Sequence, residues 1–237
     1  MLVRHLPETV SMPPALTHDL IAARLPSRRE PERPPDRVPD GPLRDAMRTA
    51  LAARPPGRLW VFAYGSLTWD RGKVPHDAAV GAWLPGFTRR YCLRDESDRG
   101  TPEAPSLTLG IEPAPRGEAC GGVLFRLPEA GREDALWKVW QHEMPPGFYV
   151  ARWVDVSVEP DGEAGLRALT FVADPRHRLY AGRLPEDRVA DALARGVGPQ
   201  GPAAAYLLDT ADALRREGLP DPALERLEAA VGARLAG

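Results

Sequence analysis

Cysteine is scarce in this chain, since only Cys92 and Cys120 occur among 237 residues. Two cysteines are too few for a disulfide framework, and neither belongs to a Cys-x-x-Cys pair. The five histidines show no spacing typical of metal ligands, so the sequence predicts no metal site. This cysteine usage is typical of a reducing compartment, and we expect a cytoplasmic protein.

Long apolar runs and a dominant sign of charge are missing as well. No segment approaches the roughly 20 apolar residues that a membrane-spanning helix needs, and no apolar run of signal-peptide length precedes Arg24. The net charge is −2, with acidic and basic residues mixed along the chain. Because no basic stripe is present to neutralise a phosphate backbone, we expect neither a membrane nor nucleic acid among the partners.

Residues 1–41 form an extension rich in proline and arginine. Each proline removes a backbone donor and fixes φ, so we expect this segment to be partly irregular. A short helix is predicted over 42–53, before Pro55 and Pro56. Residues 42–237 are predicted to form a single domain, with 43% hydrophobic and 27% charged residues in the whole chain, as in ordinary globular proteins.

The first part of that domain has the pattern of a series of short strands. Apolar runs with strand composition, separated mostly by Gly or Pro, cover residues 59–64, 79–84, 88–93, 106–112, 121–127, 148–158 and 166–173. Only one helical segment, about 128–144, interrupts them, which argues against regular βαβ alternation. We therefore predict an α+β fold with a small closed or nearly closed β-barrel, about 58–174, followed by helices within about 185–236.

The segment Tyr64-Gly65-Ser66-Leu67 directly follows the first of these strands. A tight turn containing glycine lets neighbouring backbone N–H groups face outward together and form a small nest for an anion. A substrate carboxylate or a developing oxyanion would suit such a nest. By pattern alone, a plain strand-ending turn is the more common explanation.

A single acid stands at the end of an apolar helix stripe. Spacing of i, i+3, i+4 and i+7 puts four residues on one helix face: Leu136, Val139, Trp140 and Glu143. Burial of a carboxyl raises its pKa towards neutrality, as a general base requires, so Glu143 is the candidate catalytic residue. In the alternative, Glu143 pairs with an arginine such as Arg89 or Arg90, or extends into solvent at the helix end.

Three further residues carry weaker signals. Arg99 lies in a polar turn and could offer its guanidinium to a substrate carboxylate, although the segment is also typical of an ordinary loop. His142 directly precedes Glu143 and is predicted to point to a different face of the helix. Ser66 does not lie in a Gly-x-Ser-x-Gly elbow, which argues against a hydrolase triad.

A set of short strings occurs in order along residues 58–236. They are Trp60-Val-Phe-Ala-Tyr-Gly-Ser-Leu-Thr-Trp, Arg99-Gly-Thr-Pro-Glu, Gly121-Gly-Val-Leu-Phe-Arg-Leu, Trp140-Gln-His-Glu-Met and Tyr180-Ala-Gly-Arg-Leu-Pro, followed by a helical pattern through Asp221-Pro-Ala-Leu. Together these strings resemble the ChaC branch of the γ-glutamylcyclotransferases.

The resemblance implies a small β-barrel enzyme that cleaves glutathione to 5-oxoproline and cysteinylglycine without a cofactor or a metal. Glu143 matches the family's catalytic glutamate. The family's glycine-turn motif, whose backbone holds the γ-glutamyl part of the substrate, matches Val61, Phe62, Ala63, Tyr64, Gly65, Ser66 and Leu67. By similarity, Arg99, Tyr149 and Tyr180 are further candidates for substrate binding, and we expect a monomer or weak homodimer.

The chain departs from the family's pattern at several positions. Ala63 stands where the family usually has glycine, and Gln141-His142 replaces a pair that contains arginine. These changes bear on substrate selectivity more than on the reaction. Two alternatives stay open: the same chemistry on another γ-glutamyl amine or amino acid, and a non-catalytic binding or regulatory protein on the same fold.

Overall fold

The computed structural model describes residues 15–32, 35–159 and 165–237. In the N-terminal extension, residues 1–14 and 33–34 lie outside the described residues, whereas helix α1 spans His18–Arg24. The Thr17 side chain begins α1 by accepting a hydrogen bond from the Leu20 N–H at 3.2 Å, and Ile21 is buried. Part of the extension is therefore helical. Helix α2 spans Asp40–Ala52, which confirms the helix predicted over 42–53.

Seven strands occur close to the predicted runs. They are β1 (Trp60–Ala63), β2 (Ala78–Pro85), β3 (Phe87–Asp95), β4 (Ser106–Pro113), β5 (Ala119–Arg126), β6 (Tyr149–Val156) and β7 (Leu166–Ala173). Five of them form one sheet in the order β2-β5-β1-β7-β6, in which β1 is antiparallel to β5 and parallel to β7. Strands β3 and β4 pair separately as an antiparallel ribbon. Because β1 is the central strand, the residues that directly follow it leave the sheet between its neighbours β5 and β7.

The predicted α+β class is confirmed, but the described residues do not form a closed barrel. The strands belong to separate hydrogen-bonded sheets. The two edges of the five-stranded sheet approach each other at one bridge, where Trp83 and Ser157 exchange backbone hydrogen bonds of 2.8 and 2.9 Å. Sequence periodicity identifies strands, whereas closure depends on pairing between distant strands, which no local pattern encodes.

Helices cover both faces of the sheet. Helix α3 (Arg132–Glu143) packs with α2 against the face of β1 that carries Val61. The other face, which carries Phe62, packs against the C-terminal helices α4 (Glu186–Arg195), α5 (Ala203–Arg216) and α6 (Pro222–Ala236). A short hairpin joins α4 to α5, and its two strands, β8 (Val197–Gly198) and β9 (Gly201–Pro202), have two residues each. The predicted C-terminal helices are thus confirmed, and none of the helices in the described parts is long and apolar enough to cross a membrane.

Candidate active site

A cleft opens where the end of β1, the end of α3, the loop after β3 and helix α5 meet. It holds about 690 Å³ of unoccupied space, its open mouth included. Its walls are formed by Phe62, Ala63, Tyr64, Gly65, Ser66, Leu67, Asp95, Asp98, Arg99, Thr108, His142, Glu143, Pro146, Phe148, Tyr149, Phe171, Gln200 and Tyr206. The structure therefore brings the predicted turn, the predicted acid and Arg99 together in one place.

The turn after β1 presents backbone donors to this cleft. Strand β1 ends at Ala63, and a single turn of 3-10 helix, Ser66–Thr68, follows, held by the Thr68 N–H, which donates to the Gly65 carbonyl at 2.9 Å. The N–H groups of Gly65, Ser66 and Leu67 have no acceptor among the described residues, as expected for the first N–H groups of a helical turn. These three donors are available to an anion.

Gly65 has a steric reason to be glycine. A β-carbon at this position would lie 2.7 Å from the Tyr206 hydroxyl oxygen, closer than van der Waals contact allows. Tyr206 lies on α5 and is itself buried. Glycine therefore lets the turn and Tyr206 share the same wall of the cleft.

Glu143 is the last residue of α3, and only 15% of its side chain is exposed. Burial raises the pKa of Glu143 from an ordinary 4.5 to about 8, and the negative charge of Asp98 adds to the rise, whereas the charge of Lys73 opposes it. Neither alternative for this acid is found: Arg89 pairs with Asp221, Arg90 lies 3.5 Å from Glu112, and the Glu143 side chain does not extend into solvent. A buried carboxyl titrating near neutrality is suited to take and return a proton.

His142, predicted to point to a different face of α3 from Glu143, also lines the cleft. Its Nε2 lies 2.9 Å from Ser66 Oγ and 3.9 Å from Glu143 Oε1. Burial, and next the charge of Lys73, lower the pKa of His142 to about 4. Neighbouring helical residues do diverge by about 100°, but the cleft meets the end of α3, where both directions lead into it.

Three buried tyrosine hydroxyls belong to residues that line the cleft. The Tyr64 hydroxyl donates to the Phe171 carbonyl and the Tyr149 hydroxyl to the Leu109 carbonyl, both at 2.5 Å. Burial raises the pKa of Tyr64, Tyr149 and Tyr206, and the charge of Glu143 raises each further. All three hydroxyls therefore keep their protons near neutral pH and remain hydrogen-bond donors.

Arg99 is a buried cation, with 8% of the residue exposed. One of its N–H groups donates to the Gln200 carbonyl, and the guanidinium lies 5.5 Å from the centre of the Tyr206 ring. No carboxylate of the described residues lies within ion-pair distance of it, although the residue lines the cleft. A buried guanidinium without a carboxylate partner is a natural site for a substrate carboxylate.

The loop that carries Arg99 is held in place by hydrogen bonds. The Asp95 carboxylate accepts the N–H groups of Ser97, Asp98 and Arg99 at 3.0, 2.8 and 3.0 Å. A β-carbon on Gly100 would lie 2.3 Å from the Asp95 carbonyl oxygen, so the loop closes tightly on itself. Arg99 is therefore positioned before any substrate arrives.

Two predicted site residues do not lie on the cleft wall. Val61 is fully buried against the α3 face of the sheet. Tyr180 packs beside Leu93, and its hydroxyl donates to Glu112. The cleft residues that the sequence analysis missed come from separate segments: Asp95, Asp98, Thr108, Pro146, Phe148, Phe171, Gln200 and Tyr206. Of these, Tyr206 carried a usable signal, since a tyrosine on the buried stripe of α5 needs a partner for its hydroxyl.

The side chains described by the structure include no group of three His, Cys, Asp or Glu residues that could hold a metal ion.

Replacing Glu143 by glutamine is expected to stabilise the protein increasingly as the pH rises. The folded-state pKa of about 8 lies above the ordinary value of 4.5, so the cost of ionising the buried carboxyl accumulates between these two values. Glutamine does not carry this cost. The melting temperature of Glu143→Gln minus that of the wild type should therefore grow by several degrees between about pH 5 and pH 8.

Glu133 supplies the matched control, because it lies in the first turn of the same helix with 58% of its side chain exposed. The corresponding difference for Glu133→Gln should stay constant over this pH range. A constant difference for Glu143→Gln as well would show that the carboxyl is not buried.

Comparisons of this chain with a family model and with known relatives agree on one family. Residues 59–234 match the family model described as ChaC-like protein. The chain is 33% identical over 192 residues to the glutathione-specific gamma-glutamylcyclotransferase of Escherichia coli, covering 81% of this chain and 80% of that relative. It is 30% identical over 178 residues to glutathione-specific gamma-glutamylcyclotransferase 1 of Homo sapiens, covering 75% and 79%.

A solved structure supports the fold. The glutathione-specific gamma-glutamyl cyclotransferase of yeast superposes with a TM-score of 0.66 at 20% identity, covering 73% of this chain and 95% of that one. The family model spans most of the chain and includes both the glycine turn and Glu143. The predicted resemblance is confirmed: the chain belongs to the ChaC-like family.

Proposed function

We propose that this protein is a glutathione-specific γ-glutamylcyclotransferase, which converts glutathione to 5-oxoproline and cysteinylglycine. The observation that carries the proposal is that a buried carboxyl, Glu143, shares one cleft with the backbone N–H groups of Gly65, Ser66 and Leu67, which have no acceptor in the part of the chain that the structure describes. The relatives in Escherichia coli and Homo sapiens bear the name of this activity.

The reaction is an intramolecular displacement. The α-amine of the γ-glutamyl group attacks its own γ-amide carbon, a five-membered ring closes, and the amide nitrogen of cysteinylglycine departs. Holding the folded-back chain in a near-attack geometry contributes about 7–11 kcal/mol in well-oriented intramolecular reactions. A rigid cleft that grips the substrate at both ends serves this purpose.

Glu143 supplies the proton transfers. A substrate ammonium must lose a proton before it can attack, and the departing nitrogen must gain one. The pKa of Glu143, about 8, is close to that of an ordinary α-amino group, about 8. Transfer between the two groups is therefore nearly balanced in free energy, so Glu143 can take the proton from the amine and return it to the leaving nitrogen.

Hydrogen-bond donors in the cleft stabilise the negative charges of the substrate and of the transition state. The N–H groups of Gly65, Ser66 and Leu67 bind the α-carboxylate of the γ-glutamyl group. Glutathione has a second carboxylate, on its glycine, and the guanidinium of Arg99, which has no carboxylate partner among the described residues, binds that one. The Tyr149 hydroxyl lines the cleft and can stabilise the developing oxyanion once it turns away from the Leu109 carbonyl, to which it donates in the structure.

The same proposal includes two features of architecture. Residues 42–237 act as a single domain, and the sheet edges joined at Trp83 and Ser157 belong to a nearly closed barrel around the cleft. The chemistry above requires neither a cofactor nor a metal.

A substrate comparison tests the proposal. The purified protein should release 5-oxoproline from glutathione much faster than from γ-glutamylalanine, because only glutathione extends to the Arg99 end of the cleft. Equal rates would instead indicate an enzyme for γ-glutamyl compounds in general. Glutathione binding without any product would favour a non-catalytic regulatory protein.

A further inference from the structure

Three side chains form a row from the protein surface into the cleft. Lys73 Nζ lies 3.5 Å from His142 Nδ1, and His142 Nε2 lies 2.9 Å from Ser66 Oγ. Lys73 ends the short helix Arg71–Lys73, which closely follows the turn, whereas His142 belongs to the last turn of α3. The row therefore connects the two segments that carry the proposed anion site and the proposed base.

The partners of His142 fix its tautomer. An ammonium group has donors only, so Nδ1, which faces Lys73, must act as an acceptor. The pKa of about 4 leaves the ring neutral near pH 7, and a neutral imidazole carries one N–H. The proton therefore lies on Nε2, and this N–H donates to Ser66 Oγ.

This donation determines what the Ser66 hydroxyl can do. Because Oγ already accepts from His142, its own hydrogen must point elsewhere, and the described residues offer it no second partner. Ser66 lines the cleft beside the unpaired N–H groups of the turn. The hydroxyl hydrogen is thus free to be donated to a ligand in the cleft.

We propose that Lys73 and His142 are positioning residues that orient the Ser66 hydroxyl as an additional donor to the α-carboxylate of the γ-glutamyl group. The inference rests on the proposed function. His142 does not act by holding Glu143, because its Nε2 lies 3.9 Å from Glu143 Oε1, beyond hydrogen-bond distance. Polarisation along the row strengthens the final hydrogen bond, since His142 and Ser66 each accept a hydrogen bond from the preceding residue and donate one onward.

The chain has two lysines, which provide a matched pair of variants. Lys73→Met should raise the KM for glutathione about three- to tenfold, since the lost hydrogen bond is made before and during the reaction. Loss of the Lys73 charge, which opposes the rise in the pKa of Glu143, is a separate effect that acts on kcat. Lys73→Arg, which keeps a cationic donor, should restore most of the affinity. Lys138→Met, on the exposed face of α3, should leave KM unchanged.

A double-mutant cycle separates this role from a general effect of charge. If Lys73 acts through Ser66, adding Lys73→Met to Ser66→Ala should not raise the KM for glutathione any further. If its ammonium acts only through space on Glu143, the cost of Lys73→Met will be equal in both backgrounds, and the inference is overturned.

Nitrogen-15 NMR of the histidine-labelled protein determines the tautomer of His142 independently of enzyme activity. The signal of His142, assigned by its loss in His142→Leu, should be that of an Nε2–H ring and should shift towards a tautomer mixture in Lys73→Met. An Nδ1–H ring in the wild type would overturn this inference alone. A wild type that releases no 5-oxoproline would instead contradict the proposed function.

Discussion

A Glu143→Gln variant is expected to release 5-oxoproline from glutathione about 10²–10⁴-fold more slowly than the wild type, while still binding glutathione. Glutamine keeps the size and polarity of the side chain but cannot take a proton from the substrate ammonium. The loss should therefore appear in kcat, measured by chromatography of 5-oxoproline, and not in the dissociation constant, measured by calorimetry.

Glu133→Gln is the control for this variant, since the substitution is the same and lies on the exposed start of the same helix. Its kcat should stay within about twofold of the wild type, as expected for a surface change. Near-normal 5-oxoproline release by Glu143→Gln would remove Glu143 from the mechanism, whatever its burial.

An Arg99→Met variant is expected to lose about 10- to 100-fold in kcat/KM for glutathione. A hydrogen-bonded pair between a buried guanidinium and a carboxylate contributes about 1.5–3 kcal/mol, and methionine retains the apolar length of the side chain without its charge. The loss should be much smaller for the glycine ethyl ester of glutathione, which lacks the carboxylate that Arg99 is proposed to bind.

Arg94→Met provides the comparison, because Arg94 lies on the same strand–loop segment but is half exposed and is 3.7 Å from Glu96. It should behave as the wild type towards both substrates. An equal loss by Arg99→Met on glutathione and on its ester would show that Arg99 does not recognise the glycine carboxylate.

The sequence could predict those parts of the site that depend on local spacing. Glu143 was identifiable because the helix period places it on the buried stripe of Leu136 and Trp140. The turn at Gly65 was identifiable because it breaks an apolar strand. Both signals are contained within about ten residues of chain, and both residues lie in the cleft.

The remaining wall of the cleft depends on tertiary packing. Asp98, Gln200 and Tyr206 come from separate segments, and only the folded chain brings them beside Glu143. The place of His142 on the cleft wall was not predicted, because helical geometry gives the angle between neighbouring side chains but not the position of a cleft at the end of the helix. Tyr180 was placed by similarity alone, whereas in the structure its hydroxyl bonds Glu112 away from the cleft wall.

The fold shows the same division. The strands and C-terminal helices could be predicted from the spacing of apolar residues and from the Gly and Pro residues that separate the segments. Helix α1 was missed because its seven residues, close to Pro26, form too short a pattern to stand out in a proline-rich segment. Strand order depends on contacts between distant segments, such as the parallel pairing of Val61 with Leu169.

The most direct test of the account is to identify the products after reduced glutathione has been incubated with the wild-type protein. Ring closure by the substrate's own amine, with Glu143 moving the proton, predicts 5-oxoproline and cysteinylglycine in equal amounts and no free glutamate. Free glutamate in place of 5-oxoproline would mean that water is the nucleophile, and glutathione that stays intact would mean that the cleft performs no such reaction.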